Sequence, residues 1–447
     1  MKSQKKRKWT VFFVIKATDL SVVELIEMLN ELRSIKMNDE VCILLCMSVG
    51  KENREAIESG DPSLIQNPNK NLTPTTLFYG FEKSAENSEF LNDLKFIQSD
   101  DTFDITLQRD LEKFLVNTNS HRYIIFTWDH GSSYGIFNNL PNGNPQTDLH
   151  PLSDNLFKKY PQLAIKSTSL PPKKITAETN LNNEEEQKIL TMDELAAALN
   201  QNFKNTKIEL VVMMNCYMQL FDTGYALRRN VKYLIAPETY MFFNGYNYQF
   251  FFKKLFSNPD IPTKQLAKHI VNSFETKIYT DAEIGSIAKS VTAIFATNLS
   301  YYSLIARLID RLVHALSREL SHNKNELIMA RLNSPELNDS LNIVDFFNLL
   351  KNLQLTIGRY WQFLTRTRLW LLMKRVIVAR YIGKVYYHDV AKRKFPYGFS
   401  IFFPIQLNGV IVSRRHLKFF ENTSFAKERL WFNFVMEFMK PNTPGSK

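Results

Sequence analysis

Two residues of this chain pair a reactive side chain with a place where an α/β protein could use it. Cys216 ends the apolar run Ile208-Glu-Leu-Val-Val-Met-Met-Asn215-Cys216, and His130 ends the run His121-Arg-Tyr-Ile-Ile-Phe-Thr-Trp128-Asp129-His130-Gly131. A free thiol with a pKa near ~8.5 is mostly protonated at neutral pH, and a neighbouring imidazole that accepts its proton makes it a far better nucleophile. Taken singly, each residue also reads as ordinary structure: a buried thiol, a satisfied strand-end histidine. Taken together they suggest covalent catalysis, provided that the elements carrying them are neighbours.

Those elements have one design. An unbroken apolar stretch rich in β-branched residues and bounded by polar ones reads as a strand buried on both faces. Open parallel sheets build their sites at the carboxyl ends of such strands. The remaining pattern agrees with a mostly parallel α/β sheet. Trp9–Ala17 reads as a first strand, the segment behind a Ser21/Glu24 capping box as a helix striped by Leu25, Met28, Leu29 and Leu32, and Val41–Val49 as a second strand. The β-α-β order implies right-handed crossovers. Further strands are expected at Leu77–Phe81, Tyr233–Ala236, Val291–Ala296 and Gly398–Pro404. Helices are expected at Asp104–Val116, from Leu195 to Phe203 behind a Thr191/Glu194 capping box, at Tyr217–Arg229, at Pro262–Thr276, and at Ser303–Leu320 on a Leu304, Leu308, Leu312, Ala315, Leu316 stripe. We expect a catalytic domain over residues 1–300 and an α-rich lobe over 301–447 packed on the sheet. Residues 138–188 stand apart, with Pro141, Pro145, Pro151, Pro161, Pro171, Pro172 and the run Glu184–Glu186. A connection this long without periodicity is a tolerated insertion or an activation loop.

Composition narrows the class. The 447 residues carry a net charge of +11, but outside the amino-terminal Lys5–Lys8 run and the Arg366–Arg380 stretch the basic residues are interspersed with acids. Aromatic interleaving of the kind used for RNA is missing, so nucleic acid is not the expected partner. No window is long and apolar enough for a membrane span. Lys5-Lys6-Arg7-Lys8 before Trp9–Ile15 mimics a signal peptide, but Lys16 interrupts the short apolar run. A cytoplasmic location is expected, or a secreted one if a leader precedes this sequence. Three cysteines make no disulfide framework, and Cys42 and Cys46 read as buried thiols on one strand face. His121, His150, His314 and His388 have no partner at metal-ligand spacing. The sequence does not set an oligomeric state.

Several blocks resemble the clostripain family of cysteine peptidases, within the caspase-like group. Trp128-Asp129-His130-Gly131 is similar to its histidine motif, and Leu190-Thr191-Met192-Asp193-Glu194-Leu195 to the segment before its nucleophile. Asn215-Cys216-Tyr217-Met218, Tyr225-Ala226-Leu227-Arg228 and Tyr233-Leu234-Ile235-Ala236-Pro237-Glu238 resemble its cysteine block. Ser290–Ser300 and Gly398–Pro404 resemble later ones. The resemblance implies a caspase-like three-layer α/β/α sandwich and peptide hydrolysis by a Cys-His dyad. Cys216 would be the nucleophile and His130 the base and acid. The Gly131 and Cys216 N–H groups would hold the oxyanion, a role worth roughly 3 kcal/mol per donor. Family members that cut after arginine or lysine carry acids where this chain has Met214 and Asn244. A cationic side chain needs a carboxylate partner when buried, so a neutral pocket is expected, with Glu238 as a further lining candidate. The resemblance also allows calcium, but no Asp-rich loop of binding type is seen, and no cofactor is otherwise expected. The partner would be a protein or peptide substrate. The rival expectation is an inactive relative that binds proteins without turnover.

Overall fold

Alternation within single strands builds two cores at once. In the first strand Val11, Phe13 and Ile15 face one apolar layer and Phe12 and Val14 the other. In the run ending at Met214, Val211 and Met213 face the second of these layers, and Leu210, Val212 and Met214 the first. A strand clothed on both faces needs helices above and below. Each fully buried Val, Leu, Ile or Phe contributes about 1.5–3 kcal/mol.

A computed structural model of the chain describes residues 6–17, 22–35, 38–49, 75–81, 94–100, 110–112, 120–139 (except 132 and 134), 188–334 (except 205, 243, 244, 280 and 281), 343–356, 360–387, 395–404 and 414–440. The strands are β1 (Arg7–Ala17), β2 (Val41–Val49), β3 (Thr75–Phe81), β4 (Leu94–Asp100), β5 (Ser120–Trp128), β6 (Gly135–Asn139), β7 (Lys188–Thr191), β8 (Ile208–Met214), β9 (Val231–Pro237), β10 (Ala293–Asn298), β11 (Ile343–Asp345), β12 (Ile377–Ile382) and β13 (Ser400–Phe402). Nine of them form one sheet in the order β12-β10-β9-β8-β5-β1-β2-β3-β4. The central run β9-β8-β5-β1-β2 is parallel, and the pairs added at both edges are antiparallel.

Helices α1 (Val22–Arg33), α4 (Tyr248–Ser257) and α5 (Thr263–Glu275) cover one face. They bring Leu25, Met28, Phe251, Phe252, Leu266, Ile270 and Phe274 to the layer shared with Val11. The other face is covered by α2 (Met192–Phe203), α3 (Phe221–Leu227) and, beyond α6 (Ala282–Val291), the long α7 (Tyr302–Leu320), with Leu195, Leu199, Phe221, Tyr225, Ile305, Ile309 and Leu312. This is the expected three-layer α/β/α arrangement. After residue 320 come α8 (Lys324–Leu332), α9 (Phe346–Thr356), α10 (Tyr360–Val376), α11 (Arg414–Glu421), α12 (Ser424–Glu428) and α13 (Trp431–Met439). The same part of the chain adds β12 to the edge of the main sheet and forms the small β11–β13 ribbon.

Several local expectations need amendment. The Tyr217–Arg229 helix is only Phe221–Leu227, because Cys216–Leu220 turns sharply, with Tyr217 at φ +59°. Leu304 is 40% exposed, and Ile305, Ile309 and Val313 complete the α7 stripe in its place. The 104–116 helix lies outside the described residues apart from 110–112, and so does the insertion apart from its ends. Those ends, β6 and β7, pair antiparallel, with Asn139 opposite Lys188. The Thr191/Glu194 capping box is made, with the N-cap backbone donating to Glu194 and the Thr191 side chain accepting from the Glu194 N–H. Cys42 and Cys46 are buried, and Cys216 is the third unbridged cysteine. No described helix is long and apolar enough to cross a membrane.

Candidate active site

Strands β5 and β8 are parallel neighbours, and their backbone ladder ends with Trp128 opposite Met214. One step beyond, Asp129 and Asn215 leave the sheet together, and one step further His130 and Cys216 do so. The wholly buried Asn215 closes this gap with its side chain. Its Oδ1 accepts from Thr127 Oγ1 at 2.5 Å, and its Nδ2 donates to the Asp129 and His130 carbonyls at 2.9 and 3.2 Å. Gly131 then lies directly against the cysteine. A Cβ on Gly131 would sit 2.5 Å from the Cys216 carbonyl oxygen and 2.8 Å from the Cys216 nitrogen. Only glycine allows that approach.

Cys216 is half-buried, and its thiol is in contact with one backbone segment. The Met241 N–H donates to Sγ at 3.3 Å, and Sγ lies 3.5 Å from the Met241 carbonyl oxygen. Burial among protein atoms pushes the thiol pKa up to about 11, outweighing the Met241 and Cys216 N–H groups that pull it down. The following turn is strained, since a non-glycine residue in the left-handed region costs about 1–2 kcal/mol. Tyr217 is held there by its N–H on the Thr239 carbonyl at 3.0 Å and by its ring against Tyr240, 5.0 Å away.

Met214, Met241, Tyr246 and Tyr248 belong to one apolar layer, against which Cys216 itself packs. Met214 is 1% exposed, and Tyr248 Oη donates to its Sδ at 2.9 Å. Gly245, at φ +59°, passes so close that a Cβ there would lie 2.5 Å from Met214 Cε. Asn244 lies outside the described residues. Glu238 is 1% exposed, and its two oxygens accept from Ser400 Oγ at 2.9 Å and the Gly398 N–H at 2.6 Å, which ties the end of β9 to β13. Among the described residues no group of three or more His, Cys, Asp and Glu side chains could hold a metal ion.

Cys216, His130 and Gly131 are thus brought to adjoining strand ends, with Met214 beside them in the layer below. The sequence reading missed Asn215, Thr127 and Met241. A signal existed for the first: an amide in a run buried on both faces must find several partners. Met241 contributes only backbone, which side-chain chemistry cannot announce.

The comparisons with known proteins fit this geometry. The sequence profile of the clostripain family matches residues 173–437, which takes in Cys216 and begins downstream of His130. A comparison with curated proteins gives no match. Among solved structures, the chain is similar to a secreted C11 cysteine protease from Bacteroides thetaiotaomicron, "iotapain", at 14% identity and TM-score 0.57 over 94% of this chain and 99% of that one. The same bacterium's secreted C11 protease in complex with an irreversible peptide inhibitor is similar at 14% identity and TM-score 0.57, over 96% and 99%. An inactive zymogen C11 protease from Parabacteroides distasonis is similar at 13% identity and TM-score 0.56, over 95% and 98%. At such identities the likeness concerns the fold. The profile match spans more than half of the sequence, includes the cysteine-bearing strand end, and shows that the chain belongs to the clostripain family of cysteine peptidases.

Proposed function

We propose that this chain is a cysteine endopeptidase in which Cys216 and His130 form the catalytic dyad. The observation that carries the reading is the β5–β8 register: level strand ends, joined through Asn215, bring Cys216 and His130 to adjoining backbone positions. His130 takes the Sγ proton as sulfur attacks the scissile carbonyl carbon. The Gly131 and Cys216 N–H groups stabilise the developing oxyanion. Collapse breaks the C–N bond, and the imidazolium gives its proton to the leaving amine. Water, deprotonated by His130, then cleaves the thioester, which releases the new carboxylate and restores the thiol. The substrate is a protein or peptide, and the neighbour solved with a peptide inhibitor supports that class.

A substrate side chain bound beside Cys216 meets neutral surroundings in this reading. Met214 stands where arginine-cutting relatives have an acid, and Tyr248 and Gly245 close over it. A guanidinium there would lose its hydration without gaining a carboxylate, so the enzyme prefers uncharged side chains. Regulation of the enzyme by its long 138–188 insertion belongs to the same reading.

A peptidyl thiol-reactive probe and a fluorogenic peptide panel test the reading. Labelling and turnover should both vanish in Cys216→Ala and fall by about 10³-fold or more in His130→Ala. Labelling that survives His130→Ala at the wild-type rate would falsify the dyad. Fastest cleavage after arginine would remove the neutral pocket.

A further inference from the structure

Asn215 precedes the nucleophile, and nothing in acyl transfer asks for an amide at that position. It is nevertheless 0% exposed, and its three hydrogen bonds all cross to the partner strand. The β5–β8 backbone ladder stops at Trp128–Met214, so the Asn215 side chain continues the ladder one level higher, where side chains must be aimed.

We infer that Asn215 is a positioning residue: by holding the Asp129 and His130 carbonyls it sets the direction of the Gly131 N–H and the seat of the His130 ring against Cys216. The inference rests on the dyad reading above. Its physical core is the planarity of the peptide unit. The His130 carbonyl and the Gly131 N–H belong to one trans peptide and point in opposite directions. Anchoring that carbonyl on Asn215 Nδ2 therefore turns the Gly131 N–H away from Asn215. The second contact, to the Asp129 carbonyl, fixes the preceding peptide in the same way, so the backbone on both sides of the His130 Cα is held. Thr127 is needed because its hydroxyl, buried at 0% exposure, occupies Oδ1 and leaves Nδ2 facing the two carbonyls. An aspartate at 215 could accept from Thr127 but could donate to neither carbonyl.

A merely structural staple would change how many molecules are folded. A positioning residue changes how fast each folded molecule works. The test is therefore kcat per titrated site, counted with the peptidyl probe, in Asn215→Ala, Asn215→Asp, Thr127→Val and Thr127→Ser, with Cys216→Ala as reference. Misaiming a donor or base by about 1 Å costs on the order of 100-fold, so Asn215→Ala and Asn215→Asp should lower kcat per site roughly 10- to 100-fold while KM stays within about twofold. The acid limb of the kcat/KM profile should move as the seat of His130 changes. Thr127→Val removes one bond of three and should give a smaller fall of about three- to tenfold, with Thr127→Ser at the wild-type value. Asn215→Ala with wild-type kcat per site overturns the inference. If that variant does not fold, a Thr127→Val enzyme with wild-type kcat per site does the same. Turnover or probe labelling in Cys216→Ala instead overturns the dyad reading, and the inference with it.

Discussion

A thiol pushed to about 11 is protonated in the resting enzyme. Its thiolate fraction should therefore rise about tenfold per pH unit to beyond pH 10, whereas an ordinary cysteine levels off above ~8.5. Iodoacetamide labelling of the unliganded protein, followed from pH 7 to 10, checks this, and a plateau near 8.5 would contradict it. The same residues offer a test of specificity. Met214→Asp places a carboxylate under the Tyr248 hydroxyl that Met214 Sδ now accepts from. The variant should raise cleavage after arginine relative to leucine by about tenfold or more, since a paired cation is the one the pocket now lacks. Peptide-panel kinetics read that ratio, and an unchanged ratio would show that Met214 does not line the pocket. Cys216 and His130 stand out in the sequence as candidates because reactive residues ending apolar strands are rare. Asn215 was passed over because it lies among strand residues and its role depends on which strand is next door.

At the level of elements, β1 holds the residue that argues against a signal peptide. Lys16 breaks the apolar run after Trp9, yet it is fully buried, with Nζ 2.8 Å from Asp110 Oδ2 and 3.0 Å from Ser48 Oγ. Breaking a buried pair from one side costs about 3–5 kcal/mol. Asp110→Ala should therefore lower stability in urea by that amount, and Asp110→Leu combined with Lys16→Met should restore most of it. Gly131→Ala belongs to the same scale. Its Cβ would meet backbone and not a yielding side-chain tip, so we expect a loss of about 1–3 kcal/mol together with loss of turnover, measured by thermal melts and peptide kinetics. β1, β2, β5, β8 and β9 were readable because strands clothed on both faces leave long apolar runs. The sheet edges were not. β12 follows α10 without a turn residue between them, so its six residues pass for more helix. β4, Leu-Lys-Phe-Ile-Gln-Ser-Asp, carries four polar residues in seven and so leaves no apolar run. In α7 the expected stripe holds at Leu308, Leu312, Ala315 and Leu316; only Leu304, which fits a leucine count, faces outward, and Ile305 and Ile309 widen the buried face.

On the scale of the whole molecule, the catalytic sheet is joined to the carboxyl-terminal segment by two buried acids. Glu238 at the end of β9 and Asp345 at the end of β11 are both pushed above the carboxylate range, first by burial. Glu238 is pushed further by the charge of Asp345, which in turn accepts from the Asn348 and Tyr397 N–H groups. The folded chain thus keeps protons that the unfolded chain releases above about pH 4.5. Stability must fall as pH rises from there and level off once the folded pair has ionised. Melting midpoints from pH 5 to 9 should show that decline, and Glu238→Gln should flatten it; an equal slope in the variant would remove the pair as its source. Neither acid could be paired from sequence, because they lie on strands far apart along the chain. The β6–β7 ribbon carries a further implication. With Asn139 and Lys188 held opposite each other, the polypeptide between them spans almost no distance, and closing a long loop adds only about 0.6 kcal/mol per doubling of its length. Two polypeptides expressed apart, one ending near residue 139 and one starting near 188, should find each other and reassemble, since β8 of the second pairs with β5 of the first and β7 with β6. The gene could in this way be divided into a histidine half and a cysteine half, each silent until they meet.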